Sequence, residues 1–145
     1  MRVYLLLLFM VVPLGVFAKP SLIITCGDLK GTRFDSPDGR TKTSTDGITN
    51  FPPQFILDNE KPDQLIVFWG RSREAAILSK TKNQITAIRV MPAELPGVVA
   101  MDEVHMYSLY PQTGTLYFTL HRFQNSGVPN SSSFYADCKF SRANP

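Results

Sequence analysis

Two imidazoles and two thiols carry most of the chemistry this 145-residue chain could offer: His105, His121, Cys26 and Cys138. Imidazole titrates near neutral pH, so two converging rings can pass a proton or hold a metal ion. The histidines lie in segments, Val104 to Tyr110 and Thr115 to Phe123, that read as the arms of a β-hairpin. If Gln112-Thr113-Gly114 is a three-residue loop with Gly114 left-handed, His105 falls directly opposite His121. Val104, Met106 and Tyr110 then share one face with Leu116, Phe118 and Leu120. The other face carries His105, Tyr107, Leu109, Tyr117, Thr119 and His121, and a shift of one residue would part the imidazoles. Two histidines without a third ligand make a poor metal site, and nothing in the spacing of Asp102 and Glu103 supplies one. The expectation is therefore no metal, no cofactor and no catalytic residue fixed by motif.

The remaining polar residues point the same way. Asp35, Asp38 and Asp46 lack the alternating oxygen spacing and distal glutamate of a calcium loop, and Asp38-Gly39 fits a turn. Asp58 with Glu60, and Asp102 with Glu103, could serve hydrolysis only if the fold brought them together. Ser72 lacks the glycine that a Gly-x-Ser-x-Gly hydrolase elbow requires after it. Arg71-Ser72-Arg73 and Lys80-Thr81-Lys82 lack interleaved aromatics, so a solvated face rather than nucleic-acid binding is expected. Asn130-Ser131-Ser132 is a glycosylation acceptor in a eukaryotic host.

The cysteines have a compartment. Residues 1–18 read as an export signal: Arg2 as a thin basic start, an apolar run from Tyr4 to Phe17, and small residues Val16 and Ala18 at the cleavage positions. The run is shorter than the roughly 18–20 residues of a spanning helix and is broken by Pro13 and Gly15, so no stable membrane anchor is expected. Removing it leaves residues 19–145, a length suited to one domain. A secreted or periplasmic chain meets an oxidising environment, where two thiols have a single intramolecular pairing, Cys26–Cys138.

The elements that must position these residues are strands. In Phe134 to Phe140 the residues Phe134, Ala136, Cys138 and Phe140 alternate with Tyr135, Asp137 and Lys139, a half-buried strand whose cysteine points inward. Leu22 to Cys26 is its expected neighbour, because bridged Cα atoms lie within about 7 Å. Leu29 to Phe34, Gln64 to Gly70, Glu74 to Ser79 and Ile85 to Met91 also read as strands. Turns are expected at Ser36-Pro37-Asp38-Gly39 and from Met91-Pro92 to Pro96-Gly97. Residues 40 to 63 read as a long polar loop with one short extended piece near Ile48. The fold expected is all-β, one antiparallel domain of seven or eight strands, with a small barrel favoured over a sandwich. Its shape would be lipocalin-like, although Gly31-Thr32-Arg33 stands where a Gly-x-Trp signature would be, and no family is assigned.

Small barrels either fill their interior or keep a cavity for one ligand. The aromatic supply, with Phe34, Phe51, Phe55, Phe68, Trp69, Tyr107, Tyr117 and Phe118, serves either. The function expected is a non-catalytic exported domain that binds a small apolar ligand, through Trp69, Tyr107, Tyr117, His105 and His121, or an extracytoplasmic protein. The alternative is an exported acid/base enzyme using His105, His121 and a nearby carboxylate.

Overall fold

The computed structural model describes residues 21–36, 40–91, 101–124 and 129–142. These form strands β1 (Leu22–Cys26), β2 (Leu29–Asp35), β3 (Lys42–Ile48), β4 (Gln54–Leu57), β5 (Gln64–Trp69), β6 (Arg71–Lys80), β7 (Ile85–Met91), β8 (Met101–Tyr110), β9 (Thr115–Gln124) and β10 (Pro129–Arg142). Every pairing is antiparallel, and β1-β4-β5-β6-β7-β8-β9-β10 closes on itself through β1–β10. The result is a closed eight-stranded barrel, not a sandwich. The export signal, Asp38 and the connection from Pro92 to Gly97 lie outside the described residues.

Closure follows from the length of β10. Its C-terminal half pairs β1 from Leu22↔Arg142 to Cys26↔Cys138, while its N-terminal half pairs β2 from Asp35↔Asn130 to Lys30↔Tyr135. The two cysteines are thus register partners, and they are disulfide-bonded across a sequence separation of 112. Gly31 makes the crossing of β2 over β10 possible: a Cβ there would run into the Ser133 carbonyl and come within 2.8 Å of the Phe134 Cα.

Alternation sorts each strand into an inner and an outer row. Ser132, Phe134, Ala136 and Cys138 of β10 point inward, as do Leu116, Phe118 and Leu120 of β9 and Ile85 and Ala87 of β7. The rings of Phe134, Phe118 and Tyr107 stack in series, with centroids 5.7 and 5.1 Å apart, and Phe55 meets Tyr107 edge-on at 5.5 Å. Such offset and edge contacts are the favoured aromatic geometries. This column fills the middle of the barrel; at the disulfide end the Gly114 carbonyl accepts a 2.6 Å hydrogen bond from the Cys138 N–H and seats the β8–β9 turn under the core.

Three sequence expectations are corrected. Residues 40 to 63 are no loop: they contain β3, paired with β2 along its whole length, and β4, which joins β1 and β5 in the barrel wall. β3 reads as loop because Lys-Thr-Ser-Thr-Asp-Gly-Ile has almost no apolar content, as suits a ribbon strand with solvent on most of its surface. The β8–β9 connection is four residues, Pro111 to Gly114, because Tyr110 pairs with Thr115, with the Gly114 N–H donating to the Tyr110 carbonyl at 3.0 Å. The register is therefore one residue from that expected: His105 opposes Leu120, and Val104 opposes His121.

Candidate functional site

That register sends the two imidazoles to opposite faces. His105 is buried inside the barrel, whereas His121 is exposed outside. The acid/base or metal-binding pair therefore does not assemble, and among the described residues no group of three His, Cys, Asp or Glu side chains is placed to hold a metal ion. Of the five candidate ligand-binding residues, Trp69, His105 and Tyr107 converge inside, while Tyr117 and His121 face solvent on β9. Asp58 accepts the Glu60 backbone N–H at 2.9 Å as a turn cap, and Glu103 turns into the barrel.

Where the inner rows leave the aromatic column, at the end away from the disulfide, they become charged. The row Ile85, Ala87 of β7 continues to Arg89, and Leu116, Phe118, Leu120 of β9 continues to Arg122. The row Leu109, Tyr107, His105 of β8 ends in Glu103, and Ala75 of β6 is preceded by Arg73. Together with Ile48, Val67 and Trp69 these side chains line an open cavity of about 330 Å³ in the barrel mouth. Trp69 stands edge-on to Phe118 at 5.2 Å, so Trp69, Tyr107 and Phe118 form an aromatic floor under a rim of three guanidiniums and one carboxylate.

Partners on this rim are unequally shared. Glu103 takes two of them: Arg122 Nε lies 2.8 Å from its Oε1, and His105 Nε2 lies 3.0 Å from its Oε2. The Arg122 approach is close in distance but makes no Nε hydrogen bond, so it is a Coulombic contact. A carboxylate only accepts, so His105 donates from Nε2, and in the neutral ring Nδ1 then accepts the Tyr107 hydroxyl proton at 3.1 Å. Burial holds the His105 pKa below its usual value, against the raising effect of the Glu103 hydrogen bond. Burial also pushes the Tyr107 pKa up to about 12, which keeps its hydroxyl a donor. Glu103, His105 and Tyr107 thus form a satisfied chain whose imidazole has both nitrogens engaged.

Arg73 and Arg89 are left over. The Arg73 guanidinium donates to the Met91 sulfur at 3.5 Å, a weak acceptor. Arg89 stands opposite His105 in the ladder and has no ion pair among the described residues. Its pKa is lowered, first by burial and then by the neighbouring Arg73 charge. A larger hollow of about 490 Å³ lies on the outer face beside Phe34, Val104 and His121. Asp35, His121 and Arg122 also line it, but it has no floor of buried aromatic rings, so the mouth is the candidate site.

These features define a class of protein, a closed antiparallel barrel packed at one end and open at the other into an aromatic-floored, cationic mouth. No protein-family model, curated protein or solved structure matches the chain. The sequence alone points to Trp69, His105 and Tyr107 as ligand-site residues; Glu103 enters it only as a candidate carboxylate, and Arg73, Arg89 and Arg122 do not enter it as site residues. The signal available for these four is the run of each inner row past its apolar residues into a charge at the same end of the barrel.

Proposed function

We propose that this protein is an exported, non-catalytic binding domain that holds a small molecule, by its apolar part, in the barrel mouth. The observation that carries this reading is the cavity of about 330 Å³ over the Trp69, Tyr107 and Phe118 rings, a volume at the lower end of the range for small-ligand sites. Export is supported by the Cys26–Cys138 disulfide, which is compatible with an oxidising compartment, and by the signal-like residues 1–18. Acid/base catalysis gains no support from the site, because His105 is saturated by Glu103 and Tyr107 and His121 is outside. Recognition of a protein partner would rest on exposed residues such as Leu78, Val90 and the cross-strand pair Tyr117 and Tyr135, which line no buried aromatic floor.

Trp69 is the chain's one tryptophan and lines the cavity, so it reports occupancy directly. Titration with N-phenyl-1-naphthylamine, a neutral apolar fluorophore, is expected to give saturable energy transfer from Trp69 at one probe per chain. Transfer that never saturates, or none at all, would remove the reading.

A further inference from the structure

Among the described residues the mouth is cationic out of proportion to its size, and the excess has no ion pair. Three arginines face one glutamate, and that glutamate is already committed to Arg122 and His105. Asp46 of β3 offers no relief: its carboxylate accepts from the Gly47 N–H at 2.8 Å and lies 3.5 Å from the Ser132 hydroxyl, beside a different hollow. Partly buried charges normally have partners, because desolvation without compensation is costly. Arg73 and Arg89 instead repel one another above an apolar floor, with a thioether as the acceptor nearest to hand.

We propose that the ligand is a small amphipathic organic acid, whose anionic group is held by Arg73 and Arg89 and whose apolar body rests on Trp69, Tyr107 and Phe118. This rests on the binding-domain reading above and adds the chemical class of the ligand. Guanidinium suits such a ligand because it is always charged and its planar fork matches the two oxygens of a carboxylate. The Glu103–Arg122 contact sits across the same rim and limits the net attraction to two charges, so a single compact anion is favoured over a polyanion. A cationic amphiphile of the same shape is rejected by the same groups.

Three probes of one chain length separate the contributions: octanoate, 1-octanol and octylammonium, each titrated into the full chain while Trp69 emission is followed. Octanoate is expected to bind at least about tenfold more tightly than octanol, equivalent to about 1.4 kcal/mol, with octylammonium the weakest. In Arg89→Met and Arg73→Met, which keep most of the side-chain stem, the octanoate preference collapses while octanol binding persists. Their melting temperatures should equal or exceed that of the native chain, since no carboxylate partner is lost, and a fall would overturn the premise that these arginines are unpaired. If octanol binds as tightly as octanoate, the anion inference fails while the cavity reading stands. If none of the three binds, both fail.

Discussion

Removing the disulfide tests the architecture at the seam where the barrel closes. Cys26 and Cys138 are direct register partners on β1 and β10, and the sequence between them, 112 residues in separation, includes every other strand of the barrel wall. In the chain-entropy picture a cross-link closing a loop of this order restricts the unfolded chain by about 4–5 kcal/mol. The sulfur atoms also lie in the core, so the Cys26→Ala/Cys138→Ala variant loses some packing as well. Against a net stability of about 5–15 kcal/mol for a small domain, this is a large fraction. With a urea slope of about 1–3 kcal/mol per molar, the unfolding midpoint should fall by roughly 1.3 M or more, with the slope equal or steeper because the unlinked unfolded chain is more expanded. Reduction of the native protein should reproduce the shift. A midpoint that moves by less than a few tenths molar in both cases would refute the reasoning, and would mean that the β1–β10 ladder holds the seam without the covalent link.

Gly114 sits at φ 67°, and a Cβ would lie 2.8 Å from the Cys138 carbonyl oxygen, so Gly114→Ala should destabilise by more than the ~1 kcal/mol of left-handed backbone alone, as chemical denaturation will report. Phe55→Ala empties a fully buried ring site against Tyr107 and should cost about 3–5 kcal/mol; a loss under 1 kcal/mol would mean that the aromatic column can collapse. Because the His105 pKa is lower in the folded state than when unfolded, the unfolded chain binds the proton first on acidification. Stability relative to His105→Gln should therefore be constant above pH about 6.5 and decline as pH falls from there through the folded pKa. A gain on acidification would show instead that Glu103 stabilises the imidazolium.

The barrel is legible where one face of a strand is apolar and the other is not. Phe134 to Phe140 alternates cleanly, and with Cys26 it identifies the closing seam from sequence. β3 is illegible for the converse reason: projecting in a ribbon with β2, it buries little, so its residues carry no hydrophobic row. β4 is only Gln54–Leu57, too short to show a period beside Pro52-Pro53. The hairpin register fails more subtly. Val104 and Met106 on the outer row of β8 are as apolar as Leu109 on the inner row, so matching apolar faces permits either a three- or a four-residue turn. That single residue decides whether His105 meets His121 or Leu120. The arginines of the mouth are hidden for another reason: Arg73, Arg89 and Arg122 lie on three different strands, and only the registers of the β6–β7–β8–β9 meander bring them to one rim.

The most direct test of the cationic mouth is a crystal structure of the protein grown with octanoate. The carboxylate is expected within about 2.7–2.9 Å of the Arg73 and Arg89 guanidiniums, with the chain lying on Trp69 and Phe118. Octanoate found instead in the outer hollow beside Val104 and His121, or in the mouth with its carboxylate turned away from both arginines, would contradict the account.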